Sequence, residues 1–325
     1  MMDKEPVGSL CSEPSDSDKP MLGKCREVSL DGCRRIGSGQ KGTVYRYGDE
    51  LILKVYDKIN SYRDIEREIA LSRRAFVLGI PTAISFGIVS LGDRYGAMYE
   101  LLGCETLSAC IAENPSRLDY YAGVMAELAR TIHGTAAKEK DLFPDVRDRF
   151  RAYITNGLAR SDRELADRFC HLIDDMQATR CMIHGDFHTS NVFLHNTEAL
   201  AIDMDRLSTG DPIFELGDMV FYFDKEAGED PEDTDPYLGI SYKVCRDFLN
   251  LFLRHYLQTQ DEARLREVMD RAALLGDLRL INRYWKAGAL TEETRGKVDG
   301  LIVEMKKLLE RVDSLGVIRQ EQNEK

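Results

Sequence analysis

The sequence predicts an α+β chain of two lobes: a small antiparallel β-sheet lobe with one helix, then a larger and mainly helical lobe. Three observations predict it. Short apolar runs of strand period crowd between Arg26 and Tyr99, helical periodicity dominates beyond Leu102, and 325 residues suffice for two lobes sharing one cleft.

Residues 1–24 are rich in Ser, Asp, Glu, Pro and Lys without apolar periodicity, which reads as a flexible leader. The N-lobe then spans 25–101. Val44 to Tyr47 and Leu51 to Tyr56 flank the turn Gly48-Asp49-Glu50, a hairpin pattern. Tyr62 to Leu78 carries Ile65, Ile69 and Phe76 at near-helical spacing, and Gly79 and Pro81 stop it. Two further strands are expected at Ile84–Val89 and Gly96–Leu101, so the lobes join near Glu100 to Gly103.

The C-lobe spans 102–325. Amphipathic helices are expected over Leu118–Ala137, Phe150–Leu158 and Leu165–Met176, and short strands over Val192–Leu194 and Leu200–Ile202. From Ile213 the pattern is again helical, broken by the acidic stretch Glu226 to Asp235 with Pro231 and Pro236, expected as an exposed loop. The aromatics Tyr237, Tyr242, Phe248, Phe252, Tyr256, Tyr284 and Trp285 read mainly as core.

The formal net charge of −12, with no Lys/Arg stripe, argues against nucleic acid as a partner and is compatible with a cationic small substrate. No apolar run approaches the roughly 18 residues that cross a bilayer, so no membrane partner is expected. With no secretory pattern at the N-terminus, a cytoplasmic location is expected. Eight cysteines show neither C-x-x-C pairs nor zinc-site spacing, which suits thiols in a reducing compartment.

Gly37-Ser38-Gly39-Gln40-Lys41-Gly42-Thr43-Val44 is a G-x-G-x-x-G-x-V string followed by a strand. Glycines so spaced let a hairpin backbone and its N–H groups lie against phosphates. Lys54 ends an apolar strand run, where it can meet phosphate oxygens as a point charge. A carboxylate partner is available on the next helix in Glu68, with Glu66 as the alternative, because the two face opposite ways.

His184-Gly185-Asp186-Phe187-His188-Thr189-Ser190-Asn191, followed by Ile202-Asp203, carries the strongest signal. Phosphoryl transfer needs a carboxylate to orient and deprotonate the attacking hydroxyl, and oxygen ligands for Mg²⁺. Asp186 suits the first role; Asn191 and Asp203 suit the second. His133, His184, His188 and His195 read as structural.

Together these residues resemble the aminoglycoside phosphotransferase and choline-kinase-like family of the protein-kinase-like superfamily, from about Arg34 to Asp218. H-G-D-x-x-x-x-N is that branch's form of the catalytic loop. The resemblance implies that Gly37, Gly39, Gly42 and Val44 cover the nucleotide and that Lys54 and Glu68 anchor its phosphates. It further implies a hinge at Glu100 and Leu101 receiving adenine, Asp186 as base, and Asn191 and Asp203 as Mg²⁺ ligands. ATP and Mg²⁺ are the implied cofactors, and the hydroxyl of a small molecule, such as an aminoglycoside or amino alcohol, the implied acceptor.

Asp203-Met204-Asp205 departs from D-F-G, no A-P-E follows, and Gly210-Asp211-Pro212 with Glu215 to Asp218 is like the small-molecule branch. Asp205 stands as a further acidic contact. An atypical protein kinase and a catalytically silent nucleotide-binding module are the alternatives.

Overall fold

The computed structural model describes residues 25–39, 41–138, 143–230, 234–235 and 237–316. The leader read at 1–24 lies outside them, as do Gln40, Pro231 and Pro236. The chain divides into two compact units, residues 1–67 with 86–101 and residues 68–85 with 102–325.

The smaller unit is built on β1 (Arg26–Glu27), β2 (Arg34–Gly39), β3 (Gly42–Tyr47), β4 (Leu51–Tyr56), β5 (Ser85–Leu91) and β6 (Arg94–Glu100). Their order in one sheet is β1-β5-β6-β4-β3-β2. The antiparallel hairpin expected at Gly48-Asp49-Glu50 is present, with Tyr47 opposite Leu51. β2 was not legible as a strand, because Arg34 to Gly39 lacks polar–apolar alternation; it pairs with β3 through an irregularity between Arg35 and Gly37. Leu53, Val55, Val89 and Met98 form the small core of this sheet.

Lys54 sits opposite Val44 on one side and Ala97 on the other, so two of the residues expected around a nucleotide share one rung of the sheet. Of the three loop glycines, only Gly42 is demanded by the sheet itself. A Cβ there would lie 2.0 Å from the Val55 carbonyl oxygen, whereas at Gly39 it would meet nothing within 4 Å.

Helix α1 (Tyr62–Val77) starts where Ser61 and Asp64 cap each other: Asp64 N–H donates to Ser61 Oγ at 3.2 Å and Ser61 N–H to Asp64 Oδ2 at 3.0 Å. Its buried row is Ile65, Ile69, Ser72 and Ala75. Phe76, expected on that row, is 52% exposed.

The larger unit contains β7 (Glu105–Thr106), α2 (Leu107–Glu113), α3 (Leu118–Gly134), α4 (Val146–Asn156), α5 (Arg163–Asp174), β8 (Met182–Ile183), β9 (Val192–His195), β10 (Glu198–Ala201) and β11 (Ser208–Thr209). It ends with α6 (Ile213–Val220), α7 (Tyr242–Leu257), α8 (Glu262–Lys286) and α9 (Glu292–Leu308). Its core is one continuous apolar cluster to which α3, α6, α7 and α8 contribute. Phe248, Phe252 and Tyr256 lie in that core, as their spacing on α7 predicts; Tyr237 is 39% exposed.

The acidic stretch is less loop-like than its composition suggests. A wide π-type turn over Phe221–Glu226 and a short 3₁₀ turn over Ala227–Glu229 continue α6 into it, with Ala227 and Asp235 buried. Asp235 is held inward because its carboxylate caps the N–H groups of Tyr237 and Leu238. Among the described residues no helix is long and apolar enough to cross a membrane. All seven described cysteines are free thiols.

Candidate active site

The segment His184 to Asn191 links β8 to β9, and three anchors set its path. β8 pairs antiparallel with β11, bringing Ile183 opposite Ser208. Glu215, on the buried helix α6, accepts the N–H groups of His184 at 2.7 Å and Gly185 at 2.8 Å. His184 Nδ1 accepts the Asp186 N–H at 3.2 Å, so its proton sits on Nε2, which donates to the Ile202 carbonyl at 2.9 Å. The loop is thereby tied to the strand that delivers Asp203.

Glu215 is fully buried, and burial alone would raise its pKa. The neighbouring His133 ring, His184 and the Gly185 N–H outweigh that and hold it below the usual carboxylate range. His133 in turn meets Tyr256 Oη at 2.8 Å. Both histidines therefore serve the loop structurally.

Gly185 has φ +85°, and a Cβ on it would fall 2.2 Å from Arg149 Nη1 and 2.7 Å from the Arg206 carbonyl oxygen. No other residue suits both the conformation and the space. Gly185→Ala is expected to cost about 1–3 kcal/mol of stability, read by denaturant unfolding, and to displace Asp186 enough to lower turnover.

Asp186 is 8% exposed. Its Oδ1 accepts from three donors: Tyr222 Oη, Arg206 Nη1 at 3.4 Å and Arg279 Nη2 at 3.2 Å. Oδ2 has no hydrogen bond among the described residues; His188 Nε2 lies 3.9 Å away. Burial would raise the Asp186 pKa, but Arg206 and Arg279, helped by His188 and the Tyr222 hydroxyl, keep it well below the usual range. Burial pushes His188 down to about 4 against the pull of Asp186, so its ring is neutral near pH 7. That ring packs 4.5 Å from Tyr222 and 4.9 Å from Tyr237.

A charged network braces the carboxylate from behind. Arg279 Nη1 meets Asp218 Oδ1 at 2.7 Å, and Arg149 Nη2 meets Asp218 Oδ2 at 2.9 Å. Arg149 also donates to the Gly185 carbonyl at 3.1 Å, closing the circuit onto the loop.

Asn191 donates its side-chain N–H to the Asp186 carbonyl at 3.0 Å, which leaves its amide oxygen as a ligand atom. The Asn191 carbonyl accepts the Ile202 N–H at 2.9 Å. Asp203 then adopts the left-handed conformation, φ +61°, uncommon for a residue with a Cβ and typical of functional turns. Carboxylate oxygens of Glu68, Asp203 and Asp205 lie within 4.8 Å of one another. Three carboxylates so close favour a bound cation, and an all-oxygen set suits a hard one such as Mg²⁺.

The remaining expected residues lie in the smaller unit. Gly37, Gly39, Gly42, Val44 and Lys54 belong to β2, β3 and β4, and Glu100 ends β6. The Leu101 N–H donates to the Glu50 carbonyl at 2.8 Å, leaving only its carbonyl for an adenine contact.

Residues 32–272 match the sequence model of the phosphotransferase enzyme family. The chain belongs to that family. Phosphoryl transfer is the activity that the family's description names. No curated protein matches the chain's sequence.

Solved structures share the fold at low identity. The aminoglycoside phosphotransferase APH(2'')-Ib, in its ADP-bound form, has TM-score 0.56 and 16% identity over 85% of this chain and 93% of its own. The amicoumacin kinase hAmiN, in complex with AMP-PNP, Ca²⁺ and Ami, has TM-score 0.56 and 17% identity over 87% and 90%. A choline/ethanolamine kinase family protein from Mesorhizobium loti has TM-score 0.52 and 15% identity over 86% and 88%. The two-lobed, protein-kinase-like fold is thus established for the phosphotransferase.

Sequence reading missed Arg149, Arg206, Tyr222 and Arg279; the last three contact Asp186 and Arg149 holds the Gly185 carbonyl beside it, and a signal existed for Arg279. Asp277 and Arg279 interrupt the apolar run Leu274 to Ile281 on α8, and charges inside such a run need buried partners.

Proposed function

We propose that the phosphotransferase moves the γ-phosphoryl group of ATP to the hydroxyl of a small molecule, with Asp186 as the base. The acceptor oxygen attacks the γ-phosphorus, the bond to the β,γ-bridging oxygen breaks, and ADP leaves. The hydroxyl proton passes to Asp186 Oδ2. Most of the rate enhancement would come from positioning and charge neutralisation.

The observation that carries this reading is the state of Asp186. One carboxylate oxygen is saturated by three donors and the other has none among the described residues, so the group is held rigidly with one oxygen left for a proton. Its depressed pKa makes it a weak base, which suits a reaction whose transition state develops little charge on the nucleophile.

Asn191 and Asp203 would hold Mg²⁺, with Glu68 and Asp205 within reach of the same cation. The ion would neutralise phosphate charge as a Lewis acid. Lys54 and Glu68 would anchor the phosphates under the Gly37, Gly39, Gly42 and Val44 loop, and Glu100 and Leu101 would border adenine. Binding of ADP and AMP-PNP by the structural neighbours supports a nucleotide here. In this reading the lobes run 25–101 and 102–325, and the enzyme works in the cytoplasm without nucleic acid.

Asp203→Ala tests the metal role. Mg²⁺-dependent ADP formation is expected to fall on the order of 10²-fold or more; undiminished activity would remove Asp203 from the metal site.

A further inference from the structure

Arg206 and Arg279 are more than supports for Asp186. Arg279 is 6% exposed and both its terminal nitrogens are engaged, one by Asp218 and the other by Asp186 and Tyr222. Arg206 differs. Its side chain is 35% exposed, and its only hydrogen bond among the described residues is the long one, 3.4 Å, to Asp186. A guanidinium carries five N–H donors in a planar fork, so four remain for a ligand at the base itself.

Three acidic groups of this region, Asp224, Glu226 and Glu229, already have basic partners. Glu226 pairs with Arg283, Asp224 with Arg246 at 2.9 Å, and Glu229 with Lys297 at 3.5 Å. An ammonium group brought to the Asp186 hydroxyl-binding face would also meet two guanidiniums. Beside them Tyr237 stacks on Tyr222, ring centroids 5.6 Å apart and planes 7° from parallel, giving a flat wall with an exposed edge.

We propose that the acceptor is a hydroxyl compound bearing an anionic group, carboxylate or phosphate, close to the reacting hydroxyl, and that Arg206 binds that group through its free donors. This rests on the phosphotransferase reading and departs from the cationic acceptor that net charge allowed. The step is unchanged in balance: the acceptor O–P bond forms, the bond to ADP breaks and the hydroxyl proton goes to Asp186.

Four three-carbon compounds differing mainly in charge provide the test: glycerate, glycerol 3-phosphate, glycerol and 3-amino-1,2-propanediol. The full chain, saturated with ADP and Mg²⁺, is melted with each; ADP release from ATP is then followed with each. At least one anion is expected to raise the melting temperature and to be turned over faster than the neutral and cationic compounds. Which anion does so distinguishes carboxylate from phosphate. Arg206→Gln is expected to raise KM for that anion about ten- to hundredfold, leaving KM for ATP unchanged, and Arg206→Lys to restore part of the loss.

The proposal is overturned if neither anion raises the melting temperature, if the amine is preferred, or if Arg206→Gln leaves anion binding intact. Anion binding that needs Arg206, without phosphoryl transfer to any of the four, would uphold the anion site and count against the phosphotransfer role of Asp186.

Discussion

Asp186→Asn is expected to lower kcat by about 10²–10⁴-fold, the contribution typical of a positioned base. ATP binding should survive, because the carboxylate lies among C-lobe groups and asparagine can still accept from Tyr222, Arg206 and Arg279. What is lost is Oδ2 as a proton acceptor. The pH profile adds a second check. A carboxylate held below its ordinary pKa stays ionised at neutral and mildly acidic pH, so protonation of Asp186 should produce no acid limb above about pH 5. A limb near pH 6 would mean that another group titrates in catalysis.

Asp218→Ala should have the largest effect on stability, about 3–5 kcal/mol, measured as a lower midpoint of denaturant unfolding. The Asp218 side chain is fully buried between Arg149 and Arg279, and its removal leaves two guanidiniums inside the protein with too few partners. Activity should fall with it, because Arg149 also contacts the Gly185 carbonyl and Arg279 also contacts Asp186. An exposed pair gives the contrast. Lys243 and Asp247, on the surface of α7, are largely solvated, and Asp247→Ala should change stability by no more than about 0.5 kcal/mol.

Those two sites differ in how visible they are in the sequence. The loop His184 to Asn191 is a contiguous string whose residue types state their chemistry, and the hairpin around Gly48 follows from local alternation alone. Leu51–Tyr56 is a strand with the bounds its apolar run suggests, and α1 ends within a residue of Leu78. Arg279 is different: it lies 93 residues from Asp186 and reaches it only because α8 packs on α6. Periodicity reports which face of a helix is buried, not which distant carboxylate that face will meet. Tyr222 was hidden for a related reason, since a wide π-type turn, not regular helix, aims its hydroxyl at Asp186. Phe76 shows the converse. Its spacing fitted an apolar row that Ser72 and Ala75 occupy instead, leaving the larger side chain in solvent.

Asp203 was legible as a residue but not as a conformation. Nothing in Ile202-Asp203-Met204 announces φ +61°, which arises because the preceding N–H is bound by Asn191 and the chain must turn at once into Met204–Arg206. The clustering of Asp203, Asp205 and Glu68 follows from that turn. Glu68, read from its spacing as a partner for Lys54, stands in a carboxylate cluster that its spacing did not announce.

Phosphorus-31 NMR of the purified protein with ATP, Mg²⁺ and a panel of hydroxyl acceptors tests phosphoryl transfer most directly. The expected result is a phosphate ester of one acceptor growing in step with ADP, one ester per ADP, and all but absent with Asp186→Asn. An Asp186→Asn protein that forms the ester at the parent rate would contradict the role assigned to this carboxylate.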